Sequence, residues 1–366
     1  MRLISPLLKN VVYPSMSKAG LFHRTSRGGL AVVTYHGIIP PGYDRLDSAL
    51  DGNLVTAETF RRQLRSLKAN YDVVSPEDVL AWREGDRELP HRAVLLTCDD
   101  GLLNCLTDML PVLREEGMRC LFFLTGSSAG HLRTTLWYED LFVMFLRARA
   151  GQFDIAAGET ALRVELGSRE QRRTAWWDLV KKLSRVRSET RSEFLGIARE
   201  RFGLATHPDA AAETTVSWRR FGLLTASEVC QLAAAGMTIG AHTVSHPMLS
   251  QAPPELAYAE IEESRIRLEA VVQKNIWAFA YPFGNPESVT PQVLEMPRKA
   301  AFAAAFLNCD GGLGTDLPAY ALPRVHVTAQ MGLGEFEAHV SGFFGWLQRR
   351  AGRQQGRALV NPGSRQ

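Results

Sequence analysis

Between residues 31 and 327, short apolar runs alternate with longer stretches of helical periodicity, and that alternation limits the folds open to this chain. The runs at 31–35, 93–97, 120–125, 237–241, 276–280, 301–306 and 322–327 have strand length. Helix signals lie between them. Thr56 precedes Phe60, Leu64 and Leu67 at helical spacing, as an N-cap should. Ser75-Pro76-Glu77 places a capping hydroxyl, a first-turn proline and an acid at the positive end of a helix. Thr225 and Glu228 form a capping box ahead of Val229 and Leu232, and a long helix is predicted over 254–272. Such alternation argues for a parallel α/β architecture, barrel or doubly wound. In either, ligands bind at the C-terminal ends of the strands.

One stretch departs from the pattern. Residues 134–220 are rich in Arg and Glu, show no convincing strand, and carry Trp176, Trp177, Val180 and Leu183 at helical spacing; a helical insertion is expected there. Its aromatics, Trp137, Tyr138, Trp176, Trp177 and Trp218, either pack helices together or form a sugar-stacking surface. Residues 1–30 read as a helical extension. Pro6 and Pro14 break its apolar run, too short to span a bilayer, while Leu3, Leu7, Leu8 and Val11 share one helical face and leave peripheral membrane contact open. The tail from 346 to 366 holds Arg349, Arg350, Arg353, Arg357 and Arg365, with no acid after Glu337. It reads as a solvated, poorly ordered tail, contact with an anionic surface being the other reading. A net charge of +3 gives no reason to expect a nucleic-acid partner. Five cysteines without a CxxC pair suit reduced thiols and a cytoplasmic placement.

The chemistry concentrates at two places. Asp99-Asp100-Gly101 follows the run at 93–97 directly. Two adjacent anions at a strand end are costly to bury without a cation, or else form a solvated turn. His242 and His246 share a face if their segment is helical, a usable spacing for two metal ligands, although such a pair can also cap a helix. Together, one carboxylate and two imidazoles make three N/O ligands with a position left open for water, the pattern of a catalytic zinc. A free carboxylate beside that water could deprotonate it as it attacks a carbonyl. The reaction class is metal-assisted hydrolysis of an amide or ester.

These residues resemble the polysaccharide deacetylase family, the NodB-homology domain of carbohydrate esterases, over about residues 31 to 327. Thr97-Cys98-Asp99-Asp100-Gly101 stands for its first motif, His242-Thr243-x-x-His246 with Pro247 for its second, and Phe279-Ala280-Tyr281-Pro282-Phe283-Gly284 echoes its third. The resemblance implies a distorted (β/α) barrel of the NodB-homology type, occupying 31–345 around the insertion. It implies removal of N-acetyl groups from amino sugars of a polysaccharide or glycan precursor, with Asp99 as the base and Asp100, His242 and His246 holding Zn2+ (or Co2+, Mn2+ or Ni2+). His326 is the candidate general acid, an ordinary half-buried histidine being the competing reading. His36, Tyr281, Pro282, Phe283 and Arg324 are the candidate substrate contacts, with the Phe283 N–H as an oxyanion donor. The sequence also departs from the family. Cys98 replaces the usual aromatic, Ala280 stands where an arginine often opens the third motif, and no match to the fourth motif is found. Arg324 is the candidate to reach Asp99 instead; a surface ion pair is the other reading. Deacylation of a lipid-linked amino sugar (acetyl or formyl) and a glycan-binding homologue without turnover stay open beside the main reading.

Overall fold

The computed structural model describes residues 6–24, 28–157, 160–204, 214–309 and 317–350. Its strands are β1 (Gly29–Tyr35), β2 (Asp72–Val73), β3 (Arg92–Cys98), β4 (Leu121–Leu124), β5 (Gly151–Ala157), β6 (Thr160–Leu166), β7 (Thr238–Ala241), β8 (Ala278–Ala280), β9 (Ala304–Phe306) and β10 (Val325–His326). Eight of them form one sheet in the order β10-β1-β3-β4-β7-β8-β9, with β2 paired to β3, and every pairing in it is parallel. The apolar runs form strands because each is covered on both faces: from Ala93 onward every residue of β3 is buried. Alternate side chains separate into two sets. Leu30, Val32, Ala93, Leu95, Leu121, Phe123, Ala280, Phe306 and Leu322 pack with one another inside the curled sheet. Val33, Val94, Leu96 and Phe122 face outward onto helices, meeting Phe60, Leu64 and Leu67 of helix Ala57–Asn70.

The capping signals are realised. Thr56 accepts from the Thr59 N–H at 3.1 Å, and Ser75 with Asp78 and Thr225 with Glu228 form reciprocal boxes before helices Pro76–Glu84 and Ala226–Ala234. Curling is completed by residues 322–327. Leu322 exchanges hydrogen bonds with the β9 side of the sheet, at 2.9 Å to Ala305 and 2.8 Å from Leu307. Three residues on, β10 pairs with β1, Val33 opposite Val325 and Thr34 opposite His326. One short segment thus spans both edges of the sheet and produces the expected distorted barrel.

Residues 134–220 are an insertion, but not a purely helical one. Helices Trp137–Arg147, Arg169–Leu183, Ser188–Arg201 and Thr215–Phe221 are joined by an antiparallel hairpin of β5 and β6. Phe153, Ile155 and Ala157 are buried and alternate with exposed residues, the period of a half-buried strand. The insertion has its own core, in which Phe142, Phe145, Phe194 and Leu183 meet that hairpin. Arg220 ties it to the barrel. Fully buried, this guanidinium donates to Asp51 at 2.8 Å, to Glu139 at 2.9 Å and to the Leu50 carbonyl at 2.8 Å.

The extension at the N-terminus is helical through Leu8–Val12 and Tyr13–Lys18, and Tyr13 and Phe22 pack on Ala338 of helix Leu333–Val340. The tail expected to be disordered from 346 begins inside helix Phe343–Arg350, where Phe343 seats its ring against Phe22 at 5.4 Å between centroids. Residues 351–366 lie outside the described residues. No helix among the described residues is long and apolar enough to cross a membrane.

Candidate active site

The site is built at the C-terminal ends of the central strands. Asp99 and Asp100 follow β3, and the Asp99 N–H extends the ladder to the Tyr35 carbonyl at 2.9 Å. Asp100 itself turns into the left-handed region (φ 75°), and Gly101 follows there at φ 79°. A Cβ on Gly101 would lie 2.9 Å from Leu124 Cδ2, so the motif's glycine is dictated by β4 behind it. His242 leaves β7 with its N–H on the Leu124 carbonyl at 2.9 Å. Its Nδ1 meets the Ala280 carbonyl of β8 at 2.7 Å, which assigns the proton to Nδ1 and leaves Nε2 with a lone pair.

The segment 242–246 is not the helix that the histidine spacing suggested. It is a loop, with Thr243 at φ 62° and His246 at φ 56°, pinned by the His246 N–H on Thr243 Oγ1 at 3.0 Å. The two imidazoles converge because the loop doubles back, bringing their rings to 4.9 Å between centroids. Phe283 is left-handed too, at φ 61°. Four non-glycine residues in this conformation around one site, each costing about 1–3 kcal/mol, mark backbone held in place by its surroundings.

Asp100 Oδ1 lies 3.5 Å from His242 Nε2 and 3.3 Å from His246 Nε2, and the three donor atoms all lie within 4.8 Å of one another. Ligands bound at about 2.0–2.2 Å to one tetrahedral ion are separated by roughly this much. Burial alone would raise the Asp100 pKa, yet its contacts with the two imidazoles hold it well below the usual carboxylate range. Burial lowers that of His246. A carboxylate held ionised and facing two imidazole nitrogens is a donor set that a divalent cation accepts, so the residues fit such an ion.

Asp99, 2% exposed, stands beside this cluster but faces Arg324. The guanidinium grips it in a two-pronged bond, Nη1 to Oδ1 and Nη2 to Oδ2, each 2.6 Å, while Nε donates to the Leu307 carbonyl at 3.0 Å. Burial opposes the Asp99 charge, but Arg324, with His242 and His36, keeps its pKa below the ordinary value. Arg324 is 1% exposed and spent on these bonds, so it sits behind the base rather than against a substrate. Tyr281 is likewise no substrate contact: it is wholly buried, and its hydroxyl donates to the Tyr320 carbonyl at 2.9 Å. Pro282 is buried too, and Phe283, half-buried, packs edge-on to His246 at 4.9 Å.

His36 Nε2 lies 4.0 Å from Asp99 Oδ2, and its ring stands 4.8 Å from that of His326. Burial, then the neighbouring His36 and Arg324, push the His326 pKa down to about 3, so it is neutral at pH 7. The insertion supplies a wall of the site, where two of the aromatics read as helix packing or a sugar-stacking surface come to lie. Tyr138 lays its ring on His246 at 4.9 Å and on Phe283 at 5.7 Å, and Trp137 Nε1 donates to the His246 carbonyl at 3.3 Å. Adjacent aromatics at the start of an insertion helix carry no local sign of that contact.

A parallel barrel carries at its strand ends two imidazoles and a carboxylate that could hold a metal ion, with a second, clamped carboxylate alongside, an arrangement suited to hydrolysis. Residues 205–303, which include His242, His246 and the 281–284 turn, match the profile of the family described as polysaccharide deacetylase. The chain is 28% identical over 103 residues to a putative polysaccharide deacetylase, YxkH, of Bacillus subtilis; the match covers 28% of this chain and spans about a third (34%) of that relative. Among solved structures it is similar to the Streptococcus pyogenes deacetylase PplD, determined in complex with acetate (TM-score 0.53, 16% identity, 86% of this chain and 99% of that one). It is similar also to IcaB from Ammonifex degensii (TM-score 0.52, 18% identity, 86% and 97%). Residues 205–303 thus match the polysaccharide deacetylase profile, and the fold of the chain is similar to that of deacetylases of known structure.

Proposed function

We propose that the protein hydrolyses N-acetyl groups on amino sugars of a polysaccharide or glycan precursor. The observation that carries this reading is the pairing of one ionised, Arg324-clamped carboxylate with a separate Asp100–His242–His246 cluster. Activities named for the similar proteins point the same way. Asp100, His242 and His246 would hold a divalent ion, which when bound supplies a Lewis acid that polarises the amide carbonyl and makes water acidic. Asp99 takes the proton from the attacking water, its lone pairs aimed by the Arg324 fork. The Phe283 N–H makes no hydrogen bond within the described residues and is proposed as a donor to the developing oxyanion. His326 is proposed to return a proton to the leaving amine. Being neutral in the free protein, it must first receive that proton, and His36, a neighbour of both His326 and Asp99, is the proposed carrier. Phe283 and Tyr138 form the apolar wall against which the sugar would lie. A lipid-linked amino sugar is the second substrate form proposed, and a cytoplasmic, membrane-peripheral placement goes with it: Leu7 and Val11 of the N-terminal extension are 63% and 53% exposed.

Acetate release from chito-oligosaccharides, lipid-linked amino sugars and exopolysaccharide, measured with metal content, tests the reading. Asp99→Asn should retain metal and lose turnover by at least about 1,000-fold. His242→Ala should lose both. No acetate from any of these substrates by metal-loaded protein would overturn the catalytic proposal.

A further inference from the structure

Behind the loop that carries the two histidines lies a second cleft of about 520 Å³, between the barrel and helix Ser188–Arg201 of the insertion. Thr125, Trp137, Arg191, Ser192, Gly196 and Ser245 are among its lining residues. Its wall shares Ser245 with the metal-type loop, but none of Asp99, Asp100, His242 or His246 lines it. Arg191 is the unusual group. Only 2% exposed, it forms no ion pair within the described residues. It donates to Ser245 Oγ at 2.5 Å and, at 3.4 Å, to the Leu183 carbonyl, and its guanidinium stacks 4.6 Å over the Trp137 ring. A guanidinium has five N–H groups, so part of its donor capacity is unused. The counter-charges acting on it are Glu260, one step removed and accepting from both the Ser245 N–H and its hydroxyl, and the exposed Glu189. The other charges at the cleft cancel or lie at its rim: Arg199 pairs with Asp140 at 3.4 Å, and Glu200 is exposed. Burial lowers the Arg191 pKa to about 10, as expected of a cation short of counter-charge. Thr125 Oγ1, buried at the same cleft, has no hydrogen-bond partner among the described residues.

We propose that this cleft binds an oxyanion carried on a saccharide, the carboxylate of an acidic sugar or the phosphate of a sugar phosphate, with Arg191 as its anchor. A buried cation among hydroxyls and one indole is costly without an anion and well matched to one. The site stands independently of the deacetylase reading. Gly196 offers the test, because a Cβ there meets nothing within 4 Å. Gly196→Phe therefore adds a ring at the cleft's lining with no clash at its Cβ and, by replacing a mid-helix glycine, should leave thermal stability unchanged or raised.

Calorimetric titration of the metal-loaded full chain with glucuronate, glucose 1-phosphate and glucose decides the matter. At least one charged sugar should bind ten or more times tighter than glucose. Gly196→Phe and Arg191→Gln should each weaken that binding at least tenfold, while the metal content of Gly196→Phe is unchanged. The tighter of the two charged ligands identifies the source of the oxyanion. Three results would overturn the proposal: no binding of either charged sugar, equal binding of glucose, or binding undiminished in Gly196→Phe, which would report the metal-type site instead.

Discussion

With Ala280 where the related motif often has an arginine, Asp99 would be a buried carboxylate lacking a cation, and such a group protonates or destabilises its surroundings. Arg324 supplies the cation from 225 positions away. Which side chain does this could not be read locally, since a guanidinium's partner depends on which strands come to lie together. The motif residues were legible because their chemistry is written in adjacent letters; Arg324 was legible only as a candidate. Arg324→Lys tests the arrangement. It keeps the charge but loses the planar fork, so turnover should fall about 100-fold or more with metal occupancy unchanged. Turnover near that of the wild type would show that charge alone suffices.

At the scale of elements, the insertion forms one wall of the site and is fastened by a buried ion network. Arg220 joins Asp51, following the first barrel strand, to Glu139, one residue beyond the Tyr138 ring that covers His246. Burial pushes the Glu139 pKa up even with Arg220 beside it, a measure of the cost of this arrangement. Arg220→Met strands two carboxylates in the interior and should cost about 3–5 kcal/mol in urea unfolding. Adding Glu139→Gln should recover part of that loss, and an Arg220→Met protein as stable as the wild type would remove the network's fastening role. The hairpin of β5 and β6 was missed although its alternation, Leu162, Val164 and Leu166 against Ala161, Arg163 and Glu165, is written in the sequence. Charges between the apolar positions suit the exposed face of a helix as well as that of a strand. The i,i+4 spacing of His242 and His246 misled in the opposite direction, because left-handed residues in a loop can produce the same convergence.

For the whole molecule, His326 adds an acid-sensitive contribution to stability. His326 takes up a proton in the folded state only at about pH 3, whereas in the unfolded chain it does so near pH 6.5. Between those values the unfolded state holds the extra proton, so stability falls as the pH drops below about 6.5 and levels off below about 3. At pH 5 this histidine alone should account for about 2 kcal/mol. Thermal unfolding at pH 7 and pH 5 should show a smaller difference for His326→Asn than for the wild type; equal differences would place the acid sensitivity elsewhere. What the amino-acid sequence determined by itself was the alternation of strands and capped helices, and with it a parallel α/β architecture, barrel or doubly wound, with carboxylates and a histidine pair at strand ends; the choice of barrel came with the motifs' resemblance. These follow from periodicity and capping chemistry acting over a few residues. Only the tertiary structure decided that residues 322–327 span both sheet edges and bring Arg324 to Asp99, that Tyr281 is core, and that the insertion roofs His246. Those facts depend on contacts between segments far apart in the chain, where burial and charge pairing, rather than local propensity, choose the partner. The adjacent aspartates thus resolve into two differently held groups, Asp100 turned toward the histidines and Asp99 locked by an arginine just ahead of the last strand.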